Sequence, residues 1–456
     1  GGWTVEVQSG QYSSDRMTTV ELFNVIATRP EWADSEIRPL VLSTHYDSCP
    51  FGPGAGDAGG CVATLLEAGR LLMSESQAPQ RPLILVFTDG EELGLRGAEQ
   101  LVASHPLSQR RPLFLNLDAR GTCGPVLMYE THDGNLTAVQ QWISQLAYPQ
   151  ITGSLFSALY RYLPNGTDFT VFRDAGWEGF NFAILDGAHR YHQPDDTLEN
   201  LDPRSVQHFG NHVVNLAGTI LSTSADPEFT DRNAVFFDVL GVTVIRFPTD
   251  WCLPMAFAVT LLAWRHRRTQ PDDHFLRALL TITGAMLLIM IVVAAFGWMM
   301  SASVRGTRLL ERPFVAHGHW LCLALSLLSI AMTLSMAAGL FRRMQPQVIW
   351  TSLRLINAGM CLTAAILLPE FFHLVLIPAI VTAVAERMAE SIDARCLMLS
   401  IGMSFTGVPL LHLLSMALGP GAGLILSVAY ASSVIPLFPV LGQGREKISV
   451  GNVQAA

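Results

Sequence analysis

The sequence predicts an α/β domain, built on a mainly parallel mixed sheet sandwiched by helices, followed by an all-α polytopic transmembrane domain. Apolar strand-like runs alternate with helical patterns in the first half, as in sheets that are covered on both faces. Long apolar runs fill the second half. The balance of charge also differs between the two halves. Residues 1–250 hold 30 acidic and 15 basic side chains, whereas residues 251–456 hold 8 acidic and 14 basic side chains.

The elements of the first half follow from these patterns in chain order. Strand patterns lie at 4–8 and 39–47, and residues 58–74 show the helical spacing of apolar side chains. The remaining elements are a strand at 82–88, a helix at 92–104, strands at 112–117 and 126–129, a helix at 136–147, a strand at 179–184 and a helix at 205–221. The last helix is amphipathic and could close the domain.

Seven apolar runs follow, and several reach the roughly 20 residues that span a bilayer. They cover about residues 249–264, 276–300, 319–341, 348–368, 371–385, 397–418 and 421–441. Two of the runs are short and Pro369 interrupts the middle, so we expect six or seven spans. The alternative is the buried core of a soluble protein, which fits poorly with so many long runs and so little charge.

The basic residues of the connecting loops predict an orientation. With seven spans, one set of loops holds Arg265, Arg267, Arg268, Arg342, Arg343, Arg387, Arg395, Arg445 and Lys447. The opposite set holds Arg305, Arg308 and Arg312. We expect the first set in the cytoplasm, which puts the α/β domain on the periplasmic, extracellular or lumenal side. If the short runs are miscounted, the C-terminus changes to the other side of the membrane. The basic residues at 265–268 still follow the first span directly and support the same placement of the α/β domain.

Ionisable residues in the second half are few. Glu370 and His373 lie in an apolar region, and an intramembrane ionisable residue marks function by default. We favour a short interfacial loop for them over a transport or proton-relay role. Glu386, Glu390 and Asp393 are expected in a cytoplasmic loop.

The cysteines and the charge pattern exclude some classes of protein. The seven cysteines form no C-x-x-C pair, so neither a zinc ribbon nor a dense disulfide framework is expected. Cys49 and Cys61 flank a glycine-rich loop and could pair in an oxidising compartment, but we favour two unpaired core residues. The first half has no basic patch with interleaved aromatic residues, so we expect no nucleic-acid partner.

The chemistry of the first half centres on the adjacent pair Glu91 and Glu92, which follows the strand at 82–88. Adjacent carboxylates repel, and a cation that takes one and leaves the other free as a base would explain the pair. A solvated helix start is the plain alternative. Further acids and histidines lie at strand ends or in loops, which converge on one crevice in a parallel sheet. They are His45 with Asp47, Asp57 among glycines, Asp118, and His192 with Asp195 and Asp196.

The types of these side chains indicate the metal. Two imidazoles and several carboxylates without a thiolate suit zinc, or another divalent ion such as manganese or cobalt. Five ligands with a bridging aspartate would suit two metal ions about 3.5–4 Å apart. Such a pair polarises a carbonyl and lowers the pKa of a bridging water, and the spare glutamate can then pass a proton to the leaving amine.

Taken together, these segments resemble the two-zinc aminopeptidases of peptidase clan MH, a group that includes leucyl aminopeptidases and glutamate carboxypeptidase II. The matching motifs are HYDS, GAGDAGG, DGEELGLRGA, NLDARG and YHQPDDT, in the family's order. The resemblance covers about residues 1–222 and implies a fold of the zinc-exopeptidase type. No insert separates Asp118 from His192, unlike the carboxypeptidases that carry a dimerisation domain there. With many spans attached, the chain is similar to the endoplasmic reticulum metallopeptidase group and its bacterial counterparts.

The resemblance implies a ligand set for two zinc ions per chain, or for other divalent metals in their place. Asp57 would be the bridging ligand. His45 and Asp118 would complete one metal site, and Glu92 and His192 would complete the other.

The resemblance also implies roles around the metals. Glu91 would be the general base and acid. Asp47 would orient the imidazole of His45, as metal-bound histidines usually require, and Asp196 would hold the loop of the second histidine. Tyr191 could polarise a substrate carbonyl, although a packed aromatic side chain is the alternative.

The expected boundaries are a zinc-peptidase α/β domain at 1–225, a linker at 226–248, a transmembrane domain at 249–441 and a C-terminal tail at 442–456. The family has a helix before the first strand, often behind a leading anchor. We therefore expect the N-terminal part of the domain to be missing from this chain.

The function that we expect is that of a membrane-anchored two-zinc exopeptidase, most simply an aminopeptidase that hydrolyses peptide bonds with a metal-activated water. Its partners would be a peptide substrate and the lipid bilayer. Two other classes stay open. One is a non-catalytic binding or assembly module of a membrane complex, like the peptidase-like subunit of the GPI transamidase, and the other is a transporter whose outer domain is secondary. Carboxypeptidase action is open as well.

Overall fold

The computed structural model of the chain comprises two units, Gly1–Pro248 and Thr249–Ala456. It describes residues 2–265 and 345–403, together with scattered positions from 276 to 335. Within the first range, the residues outside the description are 14–18, 33, 75–78, 144–145, 147–148, 162–165 and 228–229.

A seven-stranded mixed sheet forms the centre of the first unit. Its strands are β1 (Thr4–Ser13), β2 (Thr19–Thr28), β3 (Leu40–His45), β4 (Leu83–Thr88), β5 (Leu113–Ala119), β6 (Cys123–Thr131) and β7 (Glu178–Asp186). They lie in the order β1-β2-β4-β3-β5-β7-β6. The four central strands β4, β3, β5 and β7 are parallel, and antiparallel pairing adds β2 and β1 at one side and β6 at the other.

Helices cover both faces of this sheet. The described helices of the unit are α1 (Cys61–Leu72), α2 (Arg96–Ser104), α3 (Leu136–Gln141), α4 (Ser154–Tyr160), α5 (Asp168–Asp174) and α6 (Pro203–Leu221). Successive residues of a strand point to opposite faces, so Leu40 and Leu42 join a core with α1, α3 and α6. Val41 joins a second core with α2 and α5. The central strands are apolar on both faces for this reason, as expected of a buried parallel sheet.

Polar side chains cross the middle of the sheet in register. Ser43, Asn116 and Asn181 are partners on β3, β5 and β7. The Ser43 hydroxyl donates to Asn116 Oδ1 at 2.8 Å, and Asn116 Nδ2 donates to Asn181 Oδ1 at 3.0 Å. Buried polar groups need such partners. The row therefore fixes the register of three strands and brings their carboxyl ends to one edge.

The mixed sheet with helices on both faces agrees with the prediction from the sequence, but details differ, and the short helices α4 and α5 are additional to the predicted elements. Strand β2, which pairs with the edge strand β1, is not among the predicted strands, although the buried residues Leu22 and Asn24 alternate with exposed neighbours along it. Helix α2 begins at Arg96 rather than at residue 92. The intervening residues turn through Gly94 and Leu95, both with positive φ.

A β-hairpin occupies much of the segment 226–248 that the sequence suggested as a linker. Its strands are β8 (Ala234–Val239) and β9 (Thr243–Pro248), paired antiparallel. Phe236 is fully buried and, with Val244, belongs to the larger core of the α/β unit. Asn135 Oδ1 accepts from the Ala234 amide at 2.8 Å, and Leu136 N–H donates to Arg232 O at 3.0 Å. The compact unit thus extends to Pro248.

In the second unit, the described residues include the apolar helices α7 (Cys252–Arg265), α8 (Pro346–Leu367) and α9 (Phe372–Met388), and residues 392–403 are helical as well. Two stretches, Gln347–Leu367 and Pro369–Met388, are long and apolar enough to cross a membrane, whereas Thr249–Trp264 is shorter. The expected runs at 276–300, 319–341, 397–418 and 421–441 lie wholly or mostly outside the described residues. The number of spans and the orientation therefore stay predictions.

Glu386 does not lie in a loop, as the sequence suggested, but in the last turns of α9. Its carboxylate accepts from the Arg354 guanidinium and from Trp350 Nε1, at 3.0 Å, on α8. The pairing explains how an acid and an arginine can lie in apolar helices, since buried charges need an opposite partner.

Candidate metal centre

The site lies at the carboxyl edge of the four parallel strands. His45 is the last residue of β3, Glu91 and Glu92 follow β4, and Asp118 is the last but one residue of β5. His192 lies in the loop that follows β7. These five predicted site residues meet there because parallel strands end at a common edge.

A first cluster joins His45, Asp57 and Asp118, whose ligand atoms lie within 4.8 Å of one another. Nε2 of His45 is 3.1 Å from Asp57 Oδ1 and 3.7 Å from Asp118 Oδ1. The His45 side chain is only 3% exposed. One imidazole therefore faces two carboxylates in a buried space, which is an oxygen and nitrogen donor set for a divalent cation.

A second cluster joins Glu92, His192 and a residue that the sequence did not single out as a ligand, Cys49. Nε2 of His192 is 2.8 Å from Glu92 Oε1. The same nitrogen is 3.1 Å from Asp57 Oδ2. The two oxygens of Asp57 are thus divided between the clusters, one facing His45 and the other facing His192.

The loop that carries Asp57 is held from outside. Its chain turns through Gly54 at positive φ, and Ala55–Gly60 form an irregular turn before α1. Asp196 accepts from the Gly56 amide at 2.7 Å and from the Asp57 amide at 3.2 Å. Ala55 N–H donates to Asp196 O at 3.1 Å. This carboxylate therefore links the Asp57 loop to the His192 loop.

Asp47 plays a similar part on the other side of the site. Its two carboxylate oxygens accept from the amides of Glu91 and Glu92, each at 3.1 Å. Its carbonyl oxygen lies 3.0 Å from His45 Nδ1, which leaves Nε2 of that ring to face the cluster. These bonds hold the backbone directly after β4, and α2 starts only at Arg96 because the chain turns through Gly94 and Leu95 at positive φ.

The electrostatics of the site reflect crowded acids and histidines. Burial acts to lower the pKa of His45, but contacts with Asp118, Asp47 and Asp57 raise it well above its ordinary value. For Asp57, burial acts to raise the pKa, and His192 and His45 reverse this to a net decrease. The geometry therefore favours positive charge between the carboxylates.

Glu91 differs from its neighbour. Burial raises the pKa of its carboxyl group well above the ordinary value, and the charge of His45 opposes this while those of Asp118 and Asp168 add to it. Glu92 contacts His192 directly, whereas its neighbour Glu91 is outside both clusters. Of the pair, only Glu92 therefore belongs to a cluster that could hold a metal ion.

The donor atoms themselves test whether a metal fits. Among the described residues, Asp57 Oδ2, Glu92 Oε1 and His192 Nε2 are buried and lack a hydrogen-bond partner. The imidazole nitrogen nevertheless lies 3.1 Å from Asp57 Oδ2 and 2.8 Å from Glu92 Oε1. Buried polar groups are rarely left in this state, and donor atoms that converge without hydrogen-bond geometry suit a shared cation. The residues present fit a divalent metal.

Tyr191 packs in the same place. Its ring stacks on that of His192, with centroids 3.7 Å apart, and the Arg120 guanidinium lies 5.7 Å from the centre of the tyrosine ring. The stacking supports the packing alternative for Tyr191, and a contact with substrate stays a prediction.

Two site residues escaped the sequence reasoning. The sequence predicts Cys49 to be a small unpaired core residue. It is indeed unpaired and buried, as is Cys61. Asp168 begins α5 and accepts from the Thr88 hydroxyl at the end of β4. Burial raises its pKa to about 7. No motif marked it, but an acid directly after Asn-Gly-Thr at a helix start could have been noticed.

Comparison with known proteins adds independent information. Residues 24–217 match the model of peptidase family M28. Endoplasmic reticulum metallopeptidase 1 of Homo sapiens is 28% identical over 231 residues, which cover 49% of this chain and 25% of the relative. The vacuolar membrane protease of Candida dubliniensis is 28% identical over 219 residues, covering 48% and 23%. The chain thus spans about a quarter of the length of these curated relatives.

One solved structure that matches part of this chain is the aminopeptidase from Aneurinibacillus sp. strain AM-1. It shares 26% sequence identity, with a TM-score of 0.36, and the match covers 47% of this chain and 51% of that one.

Proposed function

We propose that this chain, whose residues 24–217 form a domain of the zinc-dependent metallopeptidase family M28, is a membrane-anchored aminopeptidase that works with two zinc ions. One observation carries the proposal. The oxygens of Asp57 are divided between His45 and His192, each at 3.1 Å, so a single carboxylate serves two clusters. A bridging carboxylate is what two neighbouring divalent ions require.

The ligands follow from the two clusters. His45 and Asp118 would hold one zinc ion and Glu92 and His192 the other, with Asp57 between them. Zinc at such a site polarises a peptide carbonyl and lowers the pKa of bound water. The carboxylates supply the negative charge that balances the cations in a buried space.

Glu91 is the proton carrier in this proposal. It lies beside a ligand but in neither cluster, and its buried carboxyl group has a raised pKa. A base with a pKa nearer to the working pH both accepts and releases a proton well. Glu91 would take a proton from the attacking water and give it to the leaving amine.

Asp47 and Asp196 act through other residues. Asp47 fixes the backbone of the glutamate pair and, through its carbonyl, the ring of His45. Asp196 fixes the backbone of the Asp57 loop. Such supporting contacts usually change metal affinity by about 10–100-fold when they are removed.

Membrane anchoring rests on two findings. The described part of the second unit contains two helices of sufficient length and apolarity. Relatives that match the first unit are named as membrane and endoplasmic reticulum proteases. We propose a multi-pass membrane domain with the peptidase domain on the periplasmic, extracellular or lumenal side.

The purified full chain in detergent tests the proposal. We expect about two zinc ions per chain and release of the first residue from a short unblocked peptide. The same peptide with an acetylated N-terminus should resist. A chelator should stop the reaction, and added zinc should restore it.

Two results would contradict this reading. Bound zinc without hydrolysis of any peptide would favour a non-catalytic binding module. Cleavage from the carboxyl end would retain the metal chemistry but reject the aminopeptidase assignment.

A further inference from the structure

We propose that Cys49 is a sulfur ligand of the metal position formed by Glu92 and His192, so that the two positions of the site differ chemically. The inference rests on the proposed function only in placing a metal at this position. The sequence suggested nitrogen and oxygen ligands alone, and a thiol changes which cations the position prefers.

The first observation is the place of the thiol. Cys49 Sγ and the ligand atoms of Glu92 and His192 all lie within 4.8 Å of one another. Zinc binds sulfur at about 2.3 Å and nitrogen or oxygen at about 2.0–2.2 Å. These three ligand atoms therefore need to move only a short distance towards one another to bind one ion.

The second observation concerns the partners of that thiol. Glu92 Oε1 and His192 Nε2 are both buried without a hydrogen-bond partner. The side chain of Glu92 is 9% exposed, so its orphaned oxygen lies in the interior. A buried carboxylate oxygen without a hydrogen-bond partner, next to an imidazole nitrogen in the same state, indicates a cation between them. This indication does not depend on the cysteine.

The backbone holds Cys49 against the His192 loop. Gly52 N–H donates to Cys49 O at 3.2 Å, which closes a tight turn. A β-carbon at Gly52 would lie 3.0 Å from Gln193 O and 3.4 Å from Cys49 Sγ. Glycine thus allows the turn to lie directly on the residue that follows His192, and the thiol is 9% exposed in this position.

The chemistry of the two positions would then diverge. His45, Asp57 and Asp118 offer nitrogen and oxygen, which suit zinc, cobalt and manganese alike. A thiolate selects softer ions such as zinc and cadmium over manganese and magnesium. On binding, the sulfur–metal bond forms as the thiol proton leaves to solvent. The position with Cys49 should therefore hold zinc more selectively than its neighbour.

Cadmium titration of the metal-free full chain in detergent tests this assignment. A cadmium–thiolate bond gives an ultraviolet charge-transfer absorption that carboxylate and imidazole ligands do not give. We expect this band to grow with one equivalent of cadmium in the wild type and in Cys123→Ser. Cys123 is the matched control, because it is unpaired, partly exposed and in neither cluster.

We expect Cys49→Ser to lose the absorption band. The affinity for one of the two cadmium ions should fall about tenfold or more in this variant. Cys49→Ala should behave alike, and circular dichroism of both variants shows whether the fold is retained. Two bound cadmium ions in the wild type without the band would overturn the assignment, and this result does not depend on any variant folding. A band that persists in both Cys49 variants would also overturn it.

The same titration separates this inference from the proposed function. Two cadmium ions without a sulfur band would remove Cys49 from the ligand set and leave the two-metal peptidase intact. Failure to bind any divalent ion would reject the proposed function, and the assignment of Cys49 with it.

Discussion

Asp57 is the residue on which the site depends, and its position depends in turn on a carboxylate 139 residues further along the chain. Asp196 is 2% exposed and accepts the amides of both Gly56 and Asp57. An amide side chain could accept only one of these bonds, since its NH₂ group would face the other donor. The loop would then lose one of the contacts that place Asp57.

Asp196→Asn should therefore weaken zinc binding by about 10–100-fold, as loss of a supporting contact does at other metal sites. Asp195→Asn is the matched control, because its side chain is 54% exposed and lies beside Arg190 at 3.6 Å. Equilibrium dialysis against zinc measures both. Equal affinities in the two variants would show that Asp196 does not position the ligand loop.

Glu91 leads to a different prediction, because it is placed as a proton carrier and not as a ligand. Glu91→Gln should keep the zinc content of the chain while lowering kcat for peptide hydrolysis by about 100- to 10,000-fold, the usual contribution of a general base. Glu99→Gln is the control, since Glu99 pairs with Arg96 on the exposed side of α2. Metal analysis beside steady-state kinetics gives both readouts. Zinc loss in Glu91→Gln would make Glu91 a ligand, and unchanged kcat would remove its role.

Single residues also show what the sequence could and could not predict. The positions of His45 and Asp118 follow from motifs at strand ends and that of Asp57 from a glycine-rich loop, and the structure brings the three together. Their roles stay predictions. Cys49 could not be recognised, because a thiol four residues after a histidine carries no spacing rule, and only the fold brings it beside His192. The resemblance to clan MH peptidases is confirmed for residues 24–217, which match the model of peptidase family M28.

At the scale of elements, the apolar strands were the most predictable part. β3, β4, β5 and β7 read as apolar runs because both of their faces are buried. Boundaries set by the backbone conformation were not predictable. The helix expected from residue 92 begins at Arg96, since the chain turns through Gly94 and Leu95 at positive φ. The pattern of apolar residues contains neither this turn nor the hydrogen bonds that hold the preceding amides to Asp47, more than 40 positions away.

The hairpin β8–β9 is the element whose role differs most from the expectation. It lies in the suggested linker, yet Phe236 is fully buried in the core of the α/β unit. Phe236→Ala should lower the free energy of unfolding of this unit by about 3–5 kcal/mol, the usual cost of removing a buried phenylalanine. Ile245→Ala, on the same hairpin but 44% exposed, should change it by less than about 1 kcal/mol. Urea unfolding followed by tryptophan fluorescence compares them, and equal small effects would make the hairpin a passive connection.

At the scale of the whole molecule, the two halves of the chain differ in charge and in hydropathy. The first 250 residues carry twice as many acidic as basic side chains, whereas the remainder is apolar with a basic excess. Short loops with an excess of basic residues typically stay in the cytoplasm when a membrane protein is inserted. The acidic half precedes the first apolar helix α7, and a short basic stretch at residues 265–268 follows at the end of that helix. We therefore predict that the acidic half is exported.

This asymmetry predicts which side of the membrane carries the peptidase unit. Cys123 is the one unpaired cysteine that is partly exposed among the described residues, and the others described are buried. In spheroplasts of a bacterial host, a membrane-impermeant maleimide should therefore label the intact chain at Cys123, while a cytoplasmic marker protein stays unlabelled. Cys123→Ser should lose this label. Labelling of Cys123 only after lysis would place the peptidase unit in the cytoplasm, and the assignment of the basic loops to the cytoplasmic side would then be wrong.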